Sequence, residues 1–535
     1  MSDQVTGPLR RAPWLAAVAA SALLLAVAPA SSAAAQPPGN ACKNRNNNTY
    51  AMLLECVTVE GVREHQAQFQ KIAEANNDPF YPGSRAAGTK GYADSVQYVA
   101  GLLRGAGYRV TLNRFQFQFQ FPAVLQQLTP VNAAYETGAF TNSGFGDVTG
   151  PVIPVDINLT PPRASTSGCE AADFTGLNFG GPNDIALIQR GTCTFADKAV
   201  NAQAAGAEAV IIFNQGNTPD REGLIVGTLA PATPVVPVVG ASFANGVALA
   251  QTGSTAHVRV EQPETRTDVN VIAERSGTNA DNVVMAGAHL DSVTPGPGIN
   301  DNGSGSGALL ETALMMAKVK PPNTLRFAWW GAEESGLIGS TAYVAGLSGT
   351  ERDRIALYLN YDMVGSPNYI FMVYDADEST FEAPVTVPPG STAIEDLYES
   401  YYTMIGEPYD DTAFSGRSDY QAFIVAGIPS GGLFTGAEVV KTAQQQGIWG
   451  GTTGAQFDPC YHLACDVLGN VNLHALDVNS DLIAFAQLTF AYSTESVNGV
   501  PGQQVPGPTV NLPPPAGPEH TFPGSGGSSP DRPTS

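Results

Sequence analysis

TLRFAWWGAEE, residues 324 to 334, runs an apolar stretch directly into two adjacent glutamates. A largely apolar run bounded by polar residues reads as a strand buried on both faces, as in a parallel sheet. Glu333 and Glu334 at its end repel each other, and burial worsens that repulsion, so the pair needs either water or a cation beside it. Two other segments repeat the design: NVVMAGAHLDS (282–292) ends in His289 and Asp291, and IALYLNYDMVG (355–365) ends in Asp362. Helical stretches such as SGALLETALMMAKV (306–319) separate the strands. This alternation predicts an α/β fold with a mixed, mostly parallel central sheet flanked by helices. Sheets of this kind gather functional residues beyond the carboxyl ends of their strands.

Working outward, EGVREHQAQFQKIAEAN (60–76) and YADSVQYVAGLLRGAG (92–107) carry helical periodicity, and FQFQFQF (115–121) alternates strictly, as a half-buried strand does. From 131 to 262 the texture changes to short runs rich in Gly, Pro, Thr and Val. Within them DIALIQRGTCTF, ADKAVNAQAAGA and EAVIIFN (184–214) read as strand, helix, strand, and VVPVVGAS (235–242) as a further strand. This is an inserted β-rich α/β domain. The expected plan is thus a leader 1–35, the first part of the main domain 36–130, the insert 131–262, the main domain resumed over 263–496, and a Pro/Gly/Ser-rich tail 497–535 of disordered composition. The leader has the three parts of a secretory signal: Arg10 and Arg11, an apolar run over 14–30, and small residues up to Ala35. No other stretch is apolar enough to span a membrane. Six cysteines in an exported chain, neighbours in pairs along it, predict the disulfides Cys42–Cys56, Cys169–Cys193 and Cys460–Cys465. The formal net charge of −23 makes nucleic acid an unfavourable partner.

The strand ends collect metal-competent side chains. Asp301 precedes a helix in GINDNGSGSG (298–307), and His462 lies between two cysteines in DPCYHLACD (458–466). With His289, Asp291, Glu333, Glu334 and Asp362 they make two histidines and several carboxylates at one sheet edge. Such a group would not stay ionised when buried without cations. Imidazole with carboxylate suits zinc, and two histidines with three carboxylates suit two zinc ions sharing a bridging carboxylate. One glutamate of the opening pair would then ligate metal while the other moves a proton.

The segments GAHLDS, GINDNGSGSG, FAWWGAEESGLIGS, YLNYDMVGSPN, GRSDYQAF, GGLFTGA and CYHLACD closely resemble the zinc aminopeptidases of family M28, in particular the secreted Streptomyces type, over about 267–490 and more weakly over 60–120. The resemblance implies the zinc-exopeptidase fold and peptide or protein N-termini as substrates, in a monomeric enzyme that prefers a large apolar first residue. It implies that His289, Asp301 and Asp362 share one zinc, that Glu334, His462 and Asp301 share the other, and that Asp301 bridges. Glu333 would be the general base and acid, Asp291 would orient His289, Tyr461 would stabilise the oxyanion, and Arg417 would lie near substrate. Asp362 and Glu333 would receive the free amino group. A calcium position is implied at Asp477 and Asp481, although its N-terminal counterpart near Cys56 and Val57 lacks the expected aspartate. The stretch IALIQRGTCTFADKAVNAQAAGAEAVIIFN resembles a protease-associated (PA) domain, which the smaller Streptomyces-type enzymes lack. A carboxypeptidase or dipeptidase, a glutaminyl cyclase, and a receptor-like protein without activity are the alternative readings on this scaffold.

Overall fold

The computed structural model describes residues 39–522, so the signal peptide expected over 1–35 lies outside the described residues. In the described part β1 (Arg109–Phe119) leads out to an insert made of β2 (Val124–Thr129), β3 (Ala133–Tyr135), β4 (Gly146–Val155), β5 (Ile185–Gln189), β6 (Ala209–Phe213), β7 (Val238–Ala241) and β8 (Thr255–Val260). The chain returns as β9 (Glu264–Arg275) and continues through β10 (Asn279–His289), β11 (Asn323–Trp330), β12 (Ile355–Tyr361), β13 (Met372–Tyr374), β14 (Asp410–Thr412) and β15 (Ser430–Phe434). The main sheet has the order β1-β9-β11-β10-β12-β15-β13-β14. β10 runs parallel to β11 and β12, and β12 parallel to β15, so the carboxyl ends of four neighbouring strands share one edge. β9 is antiparallel to both β1 and β11, and β13 antiparallel to β15, which makes the sheet mixed.

Helices cover this sheet. The helix Gly303–Met315 is buried at every position, consistent with a sequence that is apolar or small nearly all round. Leu473–Tyr492 packs beside it, and both join the largest core cluster. The helices expected from 60–76 and 92–107 form as Val59–Ala75 and Lys90–Ala106, each started by a threonine cap, Thr58 and Thr89. The second of them stops at Gly107, whose φ of 93° a side chain would disfavour.

The alternating phenylalanines work as expected in β1, where Phe115, Phe117 and Phe119 are buried while the intervening glutamines are exposed. β1 and β9 pair without a break from Arg109↔Glu274 to Phe119↔Glu264, so the insert is carried at the end of a two-stranded ribbon. Its own seven-stranded sheet, ordered β3-β2-β8-β4-β5-β6-β7, has separate cores. The insert begins at Val124, ahead of the boundary expected at 131, because Val124–Thr129 pairs with β8 rather than with the main sheet. Composition alone did not mark that change of partner.

The three expected disulfides are formed. The tail is a correction for residues 497–522. A short helix, Glu495–Asn498, precedes a segment without helix or strand, in which Val505, Val510, Leu512 and Phe522 pack against the main core. Glu519 N donates to Tyr409 O at 2.9 Å, and Thr521 N donates to Asp410 at 2.9 Å. A few apolar residues spaced among prolines suffice to dock an extended chain, which a composition test does not detect. Among the described residues no helix is long and apolar enough to cross a membrane.

Candidate active site

His289 is the last residue of β10 and is 1% exposed. Its Nε2 lies 3.2 Å from Asp301 Oδ1 and 3.2 Å from Asp362 Oδ1. The other carboxylate oxygen of Asp301 lies 3.3 Å from His462 Nε2, and Glu334 Oε2 lies 3.1 Å from the same nitrogen. Asp301 therefore stands between two groups, His289–Asp301–Asp362 and Asp301–Glu334–His462, whose ligand atoms lie within 4.8 Å of one another in each. Glu333 is within the same distance of His289 and Glu334 and belongs to neither group.

Local backbone explains how these side chains converge. Ala332, Met363 and His462 all have φ near +55°, uncommon for residues with a Cβ, and each lies beside or at a site residue. The turn at Ala332 lets two consecutive glutamates reach one cavity instead of opposite faces. Asn302 caps the following helix by accepting from Gly305 N, accepts from Met363 N, and donates to Tyr361 O, tying the Asp301 loop to the end of β12. Gly305 is required there, since a Cβ would lie 2.2 Å from Tyr361 O. The disulfide Cys460–Cys465 brackets Tyr461 and His462, whose rings stack at 3.8 Å.

Asp291 holds the site differently from the sequence expectation. His289 Nδ1 is 3.2 Å from the Asp291 backbone oxygen and 3.8 Å from its carboxylate. The carboxylate instead accepts the N–H groups of Glu333 and Glu334 at 3.2 and 3.3 Å, fixing the loop that carries both glutamates. With Nδ1–H donated to a carbonyl, the His289 ring is oriented so that Nε2 faces Asp301 and Asp362. Arg417 bridges Glu438 Oε1 at 2.6 Å and the Tyr461 hydroxyl oxygen at 3.1 Å.

The surroundings are strongly acidic. Burial pushes the Glu333 carboxyl well above its usual range, and Glu334, Asp419 and Asp362 add to the rise. Burial and the charge of Asp301 push Glu334 up to about 7. Burial alone would lower His462, but its contacts with Asp301 and Glu334 raise it to about 10. Asp301, despite burial, is held below the usual carboxylate range by His289 and His462. Glu334 Oε1 is buried with no hydrogen-bond partner. A donor set of two imidazoles and three carboxylates, with an orphaned buried oxygen among them, fits zinc.

The groups line a cavity of about 630 Å³, whose remaining wall includes Leu337, Met363, Tyr374, Thr412, Ala413 and Phe434. Asp477 and Asp481 lie elsewhere, one turn apart on Leu473–Tyr492. Several contributors were not foreseen. Ser418 donates to Asp362 Oδ2 at 2.6 Å, and Asp466 accepts the N–H groups of Asn300 and Asp301. Both sit inside motifs that carry recognised site residues, GRSD and LACD, where adjacency was the available signal.

The family model described as Peptidase family M28 matches residues 270–487, and that of the PA domain matches 148–249. An aminopeptidase of Pseudomonas aeruginosa is 46% identical over 456 residues, covering 83% of this chain and 83% of that protein. A probable leucine aminopeptidase 2 of Aspergillus fumigatus is 42% identical over 423 residues, covering 77% and 80%. Among solved structures, a zinc aminopeptidase from Bacillus subtilis superposes with a TM-score of 0.59 at 26% identity, covering 80% of this chain and 94% of that one.

Proposed function

The chain belongs to peptidase family M28 as a zinc metallo-aminopeptidase with an inserted PA domain, and from that premise we propose an exported two-zinc enzyme that removes a large apolar residue such as leucine from peptide and protein amino ends. The observation that carries this reading is Asp301, one carboxylate with an oxygen toward each of two histidines. His289, Asp301 and Asp362 would hold one zinc, and Asp301, Glu334 and His462 the other. Bound there, zinc would supply a Lewis acid for the scissile carbonyl and an acidified water at neutral pH.

The chain's own residues do the rest. Glu333, buried and raised, is placed to accept a proton from the attacking water and return it to the leaving amine. The Tyr461 hydroxyl accepts from Arg417, which leaves its own hydrogen for the carbonyl oxygen. Burial pushes the Tyr461 phenol up, so it stays a donor. Asp362 and Glu333 attract the free amino group. Arg417 is engaged by Glu438 and Tyr461, which leaves no uncommitted arginine along the cavity among the described residues for a substrate carboxylate and favours aminopeptidase over carboxypeptidase. Met363, Tyr374 and Phe434 give the wall an apolar part suited to leucine. Calcium at Asp477 and Asp481 belongs to the same proposal, with Glu60 adding the facing charge.

The test is a chromogenic assay with leucine, arginine and alanine p-nitroanilides, free and N-acetylated, before and after chelation and zinc add-back. Cleavage of only the free-amine substrates, fastest for leucine and restored by two equivalents of zinc, is expected. Equal cleavage of acetylated substrates would refute amino-end recognition.

A further inference from the structure

A second cluster of acids lies behind the cavity wall, and the catalytic reading makes no use of it. Asp375, Asp377 and Glu395 bring carboxylate oxygens within 4.8 Å of one another, and so do Glu395, Glu399 and Asp411. The five come from the loop after β13, the helix Ser391–Ile405 and strand β14. None of them forms an ion pair or a hydrogen bond with a lysine or arginine among the described residues. Backbone N–H groups serve some of the oxygens: Asp375 accepts from Ser379, Thr380 and Phe381, and Glu395 accepts from Ala376 and Asp377. One oxygen is left over: Asp411, fully buried, has Oδ1 without a hydrogen-bond partner. Asp411 belongs, with the buried Glu395 and Glu399, to the group whose oxygens converge.

We propose that Asp375, Asp377, Glu395, Glu399 and Asp411 form a calcium site that fastens the wall of the catalytic cavity. Buried like charges facing one another, with an unpartnered oxygen among them, are costly unless a cation lies between them. Burial first, then mutual repulsion, pushes Glu395 up to about 9 and Glu399 up to about 8, which agrees with that cost. The donors are all oxygen, with no imidazole or thiolate in either converging group. Many carboxylates on a loop, a helix and a strand can offer the high, irregular coordination that calcium takes, whereas magnesium demands a tight octahedron and keeps its waters. Asp375 follows Tyr374 and Asp411 precedes Thr412, and both Tyr374 and Thr412 line the cavity. The docked tail crosses the same place: Thr521 N donates to Asp410, and His520 lies 3.3 Å from Thr380 Oγ1. An ion here would join the wall, the helix and the tail.

The test uses the mature chain loaded with zinc, freed of calcium, and titrated with calcium chloride by calorimetry and thermal unfolding. A saturable calcium equivalent is expected to raise Tm by roughly 3–6 °C at about 100 times Kd. Glu399→Gln and Asp411→Asn should each lose that equivalent and its Tm rise. In calcium-free buffer they should melt no lower than the wild type, because an amide removes a like charge. Asp377→Asn, on the exposed rim, should weaken calcium by about tenfold through the lost ligand charge. The double variant Asp477→Asn/Asp481→Asn should keep the Tm rise. No calcium binding by the wild type at millimolar concentration would overturn the proposal. So would the same equivalents and Tm rise in Glu399→Gln and Asp411→Asn, or loss of the effect only in the Asp477/Asp481 double variant.

Discussion

Glu333→Gln separates the proposed proton carrier from the proposed metal ligands. Glu333 is 9% exposed, lies within 4.8 Å of the ligand atoms of His289 and Glu334, and stands outside both groups that would hold zinc. The amide keeps shape and cannot accept a proton. A positioned acid–base group is worth about 10²–10⁴ in rate, and Glu333 would act twice per turnover, so kcat should fall by about 10⁴. That corresponds to about 5.5 kcal/mol at 1.36 kcal/mol per decade. KM should rise by less than about tenfold, since Asp362 keeps its charge for the amino group when Glu333 loses its own. Bound zinc, measured by elemental analysis, should stay at the wild-type value. The metal-free variant should melt no lower than the metal-free wild type, because Glu334, Asp419 and Asp362 all repel the charge that is removed. A kcat within tenfold of wild type at full zinc occupancy would refute the assignment. Loss of one zinc would instead make Glu333 a ligand.

Tyr461→Phe should lower kcat by about 10²–10³ with KM and zinc content unchanged, as for loss of one oxyanion donor; a change confined to KM, read from initial rates on leucine p-nitroanilide, would speak against that role. Replacing 124–260 by a tight turn between β1 and β9 should leave kcat/KM on leucine p-nitroanilide within about threefold, because no insert residue lines the cavity and the ribbon register is self-contained. Rates on folded protein substrates are the place to look for a role of the insert. Lys198 tests the insert's own stability. Burial lowers its pKa to about 8 from 10.5, so between those values the unfolded chain holds more protons and stability rises with pH. The Tm of the wild type relative to Lys198→Met should therefore climb from about pH 8 to about pH 10, and a flat difference would place the buried amine in contact with water.

Much of the catalytic side was legible because its information is local. An apolar run followed by a turn and an acid or histidine states both the strand and what lies at its end, and parallel order brings such ends to one edge. His289, Glu333, Glu334 and Asp362 were readable this way, and the cysteine spacing gave the bracket around His462. The β1 alternation was readable too, since period two is a property of the strand itself. The start of the insert was not, because Val124–Thr129 would suit either sheet and only pairing with β8 decides. Asp291 shows the same limit at atomic scale: its neighbourhood to His289 was plain, but whether its carboxylate faces the imidazole or the Glu333 and Glu334 N–H groups depends on how two loops meet.

By itself, then, the sequence determined the α/β class, the inserted domain, the disulfide pairs and the residue types at the strand ends, all of which follow from periodicity and short spacing. Tertiary structure alone decided that Ser418 holds Asp362 and Asp466 holds the Asp301 loop, that the proline-rich tail docks, and that Glu395, Glu399 and Asp411 converge. Those depend on long-range packing, in which burial selects the partners and leaves unlike segments side by side, and no local pattern encodes such a choice.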